Sequence, residues 1–206
     1  HRKFDGADSY GTDVIYYRNS RWVNPIINDP DNPAKTLRRT TLVTELANPT
    51  DIDGDGIIEI CSSAGEFPGY REVSSFDKLR PVIWRTVEGN KLVNKYTSYY
   101  SEKYDYVFFL PARWEIDITA AVSLEENTID FCKAGASVSD SNELILSIKT
   151  VFENEEFNPD GWTFFKQGEN NRFSYYIKSA APENILALTA EELEYAFRIL
   201  SEIIIN

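Results

Sequence analysis

The chain has no methionine, one histidine, at position 1, and two cysteines among its 206 residues. Each shortage removes a class of chemistry. With His1 as the sole imidazole, Ser-His-Asp and Cys-His machinery has no base within the chain, and histidine-based zinc sites fall with it. No Gly-rich phosphate loop or dinucleotide fingerprint occurs. No run of about 18 apolar residues exists, so no segment reads as a membrane-spanning helix, and no signal peptide is recognisable. Positive charge is also scarce: 21 Lys and Arg stand against 33 Asp and Glu, a formal charge of -12. A nucleic-acid module presents a basic face to the phosphate backbone, so no nucleic-acid partner is expected, whereas Ca²⁺, cationic partners and neutral glycans remain open. A chain that opens on His1 and holds no Met reads as a processed or trimmed product.

What is abundant is carboxylate, and it is patterned most sharply over Asp51-Ile-Asp-Gly-Asp-Gly-Ile-Ile-Glu-Ile60. Asp51, Asp53 and Asp55 alternate with small or apolar residues, Gly56 allows a sharp turn with positive φ, and Glu59 follows at the ninth position. Ca²⁺ takes six to eight oxygens at roughly 2.3–2.6 Å, and three alternating Asp side chains on a tightly wound backbone converge on one point. The expected ligands are Asp51, Asp53, Asp55, Glu59 and the main-chain carbonyl of Ile57. The competing reading is a solvated Asp-Gly turn, since both residues favour turns on their own account. An EF-hand needs a carboxylate at position twelve, which here is Ser62. Ligation from position nine instead resembles the DxDxDGxxE loops of integrin-type and FG-GAP repeats, in which a strand follows the loop; Ile57, Ile58 and Ile60 fit that strand. The resemblance implies ion binding.

Cys61 follows the loop and Cys132 lies about 70 residues on. A disulfide between them would stabilise by roughly 4 kcal/mol in the chain-entropy model. The alternative is a pair of buried free thiols. Weak calcium loops suit the millimolar calcium outside cells, so an extracellular or cell-surface setting is expected, with the periplasm as a variant.

Length suits one domain over residues 1–206, with residues 1–12 as a polar N-terminal arm. Asp13 to Arg18 and Thr36 to Thr44 read as strands on either side of a Pro-rich loop, in which Asp29 and Asp31 are supplementary ligand candidates. Residues 63–75 read as irregular. Val82 to Val87 and Lys91 to Tyr99 form a hairpin about Glu88-Gly89-Asn90, Tyr104 to Leu110 is a fully buried strand, and Arg113 to Leu124 another. Ser139 to Phe157 fits either period, with strand preferred to helix. Trp162 to Lys166 and Arg172 to Lys178 form a second hairpin. The C-terminal segment predicts one helix: Thr189 as N-cap, Glu192 completing a capping box, Leu188 and Leu193 as a hydrophobic staple, and an apolar face of Leu193, Ala196, Phe197, Leu200, Ile203 and Ile204. The predicted class is therefore α+β, mainly antiparallel sheet with a C-terminal helix packed on it.

Two further resemblances bear on function. Trp114-Glu115-Ile116-Asp117-Ile118 resembles the core of laminarinase- and lichenase-type β-sandwich glycoside hydrolases, which implies Glu115 as nucleophile and Asp117 as its supporter on one strand face. Beyond it stand Thr119, Ala120 and Ala121, where that family has its acid/base Glu. Gly11-Thr-Asp-Val-Ile-Tyr-Tyr-Arg18, followed by Thr36-Leu-Arg-Arg39, resembles the head domains of minor type IV pilins and pseudopilins, which implies that the first strand pairs with the second. The expected function is a non-catalytic, calcium-stabilised module for adhesion or for surface filament or pilus assembly, with other protein subunits or surface glycans as partners. The alternatives are the glycoside hydrolase and a carbohydrate-binding module, for which Trp22, Trp162, Tyr99 and Tyr100 are stacking candidates.

Overall fold

The computed structural model describes residues 2–3, 10–11, 15–23, 47–63, 65–70, 79–89, 91–141 and 143–204. Near the N-terminus, β1 (Arg2–Lys3) pairs with β2 (Tyr10–Gly11) and β3 (Tyr16–Arg18) with β4 (Arg21–Val23), all antiparallel. The expected N-terminal arm thus contributes a short ladder. The Tyr16–Arg18 strand finds its partner three residues on, through a turn at Asn19 and Ser20, both with φ in the left-handed region. The expected strand over Thr36 to Thr44, and with it Asp29 and Asp31, lies outside the described residues.

Two five-stranded antiparallel sheets make up the body. The first runs β5 (Ile60–Ser63), β6 (Val82–Glu88), β7 (Lys91–Ser101) and β8 (Tyr106–Phe109) as consecutive neighbours, and a strand from the C-terminal segment beside β8 is its fifth. The second holds β9 (Ile118–Ser123), β10 (Thr128–Lys133), β11 (Leu144–Phe152), β12 (Thr163–Gln167) and β13 (Phe173–Ser179) in the order β9-β10-β11-β13-β12. Both predicted hairpins form. Glu88 faces Lys91 across Gly89, whose φ of 62° supplies the left-handed residue that a two-residue turn demands. The Ser139 to Phe157 segment resolves to strand, because Leu144–Phe152 fills the sheet centre and buries Ile145 to Ile148 on both faces.

The sheets pack face to face over an aromatic core. Phe131 of β10 lies 5.2 Å from Phe108 of β8 and 5.4 Å from Trp114, ring centre to ring centre, and Tyr175 of β13 meets Tyr106 of β8 at 5.6 Å edge-on. Each such ring contributes on the order of 2–3 kcal/mol by burial. Their polar tips are satisfied: Trp84 Nε1 donates to Ser98 Oγ at 2.8 Å, Trp114 Nε1 to the Leu186 carbonyl at 2.8 Å, and Tyr175 hydroxyl to the Tyr104 carbonyl at 2.9 Å.

Three expectations are corrected by the fold. The C-terminal segment is not one helix. The capping box at Thr189 and Glu192 is formed and α1 (Ala190–Ala196) packs on the first sheet, but β14 (Phe197–Ile199) then extends to pair with β8 before α2 (Leu200–Ile204) begins. The free edge of β8 takes three backbone partners there, and the Asp105 turn caps the start of α2: Ser201 N–H donates to Asp105 Oδ1 at 3.0 Å and Ser201 hydroxyl to Oδ2 at 2.6 Å. Second, Arg113 to Leu124 is a strand only from Ile118. Ala112–Trp114 is a 3₁₀ turn entered from Pro111, and residues 115–117 continue as turn, held by Trp114, whose indole is sunk in the core. Third, Cys61 and Cys132 form no disulfide. They stand on different sheets as buried free thiols, and Cys61 Sγ donates to the Ala47 carbonyl at 3.1 Å.

Candidate cation site and the adjoining cleft

The carboxylate loop is pinned at both ends. Thr50 and Glu59 exchange backbone hydrogen bonds of 3.2 and 2.8 Å, which closes the loop at its neck, and Ile52 is buried completely in the core. Within the loop the Asp side chains wind the backbone. Asp51 accepts from the N–H groups of Asp55 at 3.0 Å and Gly56 at 2.8 Å, Asp53 from Asp55 at 3.3 Å, and Asp55 from Ile57 at 2.8 Å. Gly54 and Gly56, with φ of 78° and 86°, allow the two tight reversals.

The wound loop brings one carboxylate oxygen each from Asp51, Asp53 and Glu59 within 4.8 Å of one another. Glu59 is buried completely, and its Oε2 accepts from the Ile52 N–H at 3.0 Å. The expected strand from Ile57 begins only at Ile60; Ile57 and Ile58 are more than half exposed.

A side chain that sequence reasoning did not single out lies at the focus of these oxygens. Lys95 Nζ stands 2.7 Å from Asp53 Oδ2, 2.5 Å from Asp55 Oδ2 and 2.9 Å from Glu59 Oε1. Its neighbour Tyr96 donates its hydroxyl to Asp53 Oδ2 at 2.6 Å. Consecutive residues of a regular strand point to opposite faces, so the two cannot both reach one site without a fault in the ladder. The fault is present: Trp84 faces Tyr96 and Arg85 faces Asn94, which leaves Lys95 as the extra residue of a β-bulge. No residue type marks such a bulge in advance.

The electrostatics arise from this packing. Burial opposes the charge on Lys95, but its three carboxylate partners outweigh that and hold the ammonium well above the ordinary lysine range. Asp53 is held below its usual value, since its bonds to Lys95 and Tyr96 outweigh its desolvation. Burial raises Glu59, against the pull of Lys95 and the Ile52 N–H. The Tyr96 phenol is driven up by burial and by the Asp53 carboxylate beside it.

Lys95 and Tyr96 also border a cleft of about 870 Å³ between β7, the turn after Pro111 and α1. Phe67, Phe109, Trp114 and Ile118, all buried, form its apolar depth. Tyr96 stacks on Phe109 at 4.3 Å, Phe109 meets Tyr195 at 6.5 Å, and the Tyr195 hydroxyl donates to that of Tyr96 at 3.3 Å. Glu192 is bound by Arg113, Nη1 to Oε1 at 2.5 Å and Nη2 to Oε2 at 3.0 Å, which with the Thr189 cap lowers its pKa to about 2.

The remaining candidates are dispersed. Glu115 and Asp117, expected on one strand face, lie exposed on the turn before β9, so the strand pairing implied by the glycoside hydrolase resemblance is not assembled; Glu115 reaches the cleft mouth. Tyr99 is buried, which removes it as a stacking platform, and Tyr100 is half-buried against Trp84. Trp162 has Lys178 Nζ over its ring at 4.2 Å. Trp22 is 73% exposed and meets Tyr17 edge-on at 5.2 Å on the β3–β4 hairpin. No protein-family model, curated protein or solved structure matches the chain.

Proposed function

We propose that the chain is a non-catalytic, calcium-stabilised recognition module that acts in adhesion or surface assembly, with the loop from Asp51 to Glu59 as its ion site. The observation that supports the ion site is the convergence of the Asp53, Asp55 and Glu59 carboxylates on one point, with Asp51 beside them, where the Lys95 ammonium lies within 2.9 Å of three oxygens. That point has the charge environment of a cation site, and Lys95 is the internal cation with which a metal ion competes. On this reading Ca²⁺ takes carboxylate oxygens from Asp51, Asp53, Asp55 and Glu59 and the carbonyl of Ile57, and Lys95 turns out toward the cleft. The non-catalytic half rests on the sequence, whose sole imidazole is His1.

The test is a pair of melts, one in about 2 mM CaCl₂ and one in excess EDTA. A dissociation constant on the order of 10⁻⁴–10⁻³ M adds roughly 0.6–1.8 kcal/mol to the native state at that concentration. Superimposed melts would leave Lys95 as the loop's only cation. Calcium-dependent self-association, read by sedimentation, tests the assembly half.

The exposed Trp22–Tyr17 pair favours a second reading, in which the β3–β4 hairpin stacks on a surface glycan. Loss of glycan-array signal in Trp22→Ala, with the melting temperature unchanged, is the outcome that reading requires.

A further inference from the structure

We propose that the cleft beside the carboxylate loop binds an organic cation with an apolar body, an ammonium or guanidinium carried on an aromatic or aliphatic stem. The volume, about 870 Å³, is that of a small-molecule site. Its depth is apolar, which suits a hydrocarbon stem and offers an inorganic ion nothing. Its mouth is acidic.

Five charged side chains line it: Glu66, Glu115, Glu191, Glu192 and Lys95. Three of these already have interactions of their own: Lys95 with the loop carboxylates, Glu192 with Arg113, and Glu66. Among the described residues, the side chains of Glu115 and Glu191 have no hydrogen-bond or ion-pair partner, and both are exposed at the mouth with Glu66. The cleft therefore carries surplus negative charge on a chain of net charge -12, which draws cations in and repels anions.

The aromatic wall adds a second source of selectivity. Phe109, Tyr96 and Tyr195 stand side by side, and the hydroxyl chain Tyr195 to Tyr96 to Asp53 ends on a carboxylate. A phenol that donates to a carboxylate has a more electron-rich ring, and electron-rich ring faces attract cations by about 0.5–1 kcal/mol each where solvent reaches them. Apolar depth, aromatic wall and acidic mouth lie in the order that a stem and its cationic head require. None of these features needs a metal, and the charge count holds with Lys95 on the loop carboxylates, so the titrations are run in EDTA.

The experiment uses three probes with one aromatic body and three charges: tyramine, 4-ethylphenol and 4-hydroxyphenylacetate. Each is titrated into the full chain and followed by amide NMR. Tyramine is expected to bind most tightly, about fivefold or more over 4-ethylphenol, with 4-hydroxyphenylacetate weakest, and to shift the amides of residues 95–97, 109, 110, 112 and 191–196. Glu115→Gln with Glu191→Gln should weaken tyramine by about fivefold and leave 4-ethylphenol unchanged. Because Glu191 also sits in the first turn of α1, Tyr195→Leu serves as a second variant: it keeps an apolar side chain and should erode the preference for tyramine. Equal affinity for the three probes, shifts outside the cleft, or no tyramine binding at about 10 mM would overturn the proposal.

Discussion

Replacing Lys95 with Met removes the ammonium while keeping most of the apolar stem, and it isolates what the cation contributes. The substitution leaves Glu59, with no exposed surface, holding a single N–H donor from Ile52, and leaves Asp53 with the Tyr96 hydroxyl and the main-chain N–H of Asp55. Removing one partner of a buried ion pair costs about 3–5 kcal/mol. Here the Lys95 side chain is 21% exposed and that of Asp55 41%, so water recovers part of the loss and the expected cost is about 2–3 kcal/mol. For a chain of this size that lowers the melting temperature by roughly 4–12 °C. Urea denaturation in EDTA measures it, and an unchanged denaturant slope would show that the unfolded state is unaffected. In calcium the order should reverse in part: with its internal competitor gone, the variant should gain more from Ca²⁺ than the parent does. A Lys95→Met protein within about 0.5 kcal/mol of the parent in EDTA would refute the reasoning, because an unpaired buried Glu59 cannot be that cheap.

Thiol titration separates the two states of the cysteines: both should be silent toward an aromatic disulfide reagent in the native protein, with Cys61 pushed by burial to about 11, and both should react in denaturant. Absence of reaction in denaturant would restore the disulfide. The acid limb of stability should depend on Glu192. Its carboxyl is depressed to about 2, first by Arg113, so its stabilisation is present above about pH 4.5 and lost as the pH falls toward 2. Glu192→Gln should flatten that limb by about 1 kcal/mol, the pair being partly exposed; an unchanged limb would mean the pair contributes nothing. Thr189→Ala should cost about 1 kcal/mol by loss of the cap, read by urea denaturation, and no change would place the cap outside the cooperative unit.

The strands were legible where local chemistry and tertiary demand agree. Gly89 suits the turn that joins Val82–Glu88 to Lys91–Ser101, and the apolar run of Tyr106–Phe109 has no polar face to expose. Thr189 and Glu192 announce their cap because both partners lie within one turn. The helix break at Phe197 was not legible, since Phe197, Leu200 and Ile203 keep helical spacing while the decisive partner, the open edge of β8, lies some ninety residues away. Likewise Asp51 to Glu59 announces a carboxylate cluster in one stretch, but the ammonium that pairs with it depends on a bulge across from Trp84 and Arg85. A one-residue fault in register leaves no compositional trace, so neither Lys95 nor Tyr96 stood out. Glu115 and Asp117 misled for a related reason. Alternation about Trp114 mimics a strand, whereas Pro111 and the buried indole impose a turn.

The central claim, that the Asp51–Glu59 loop takes a calcium ion in place of the Lys95 ammonium, is tested most directly by calorimetric titration of CaCl₂ into EDTA-stripped protein, beside the Asp51→Asn/Asp53→Asn variant. The account predicts one saturable site with a dissociation constant on the order of 10⁻⁴–10⁻³ M, absent from the variant. A parent protein that takes up no calcium at about 10 mM, or a variant that binds it as well as the parent, would contradict it and leave the loop a lysine-clamped turn.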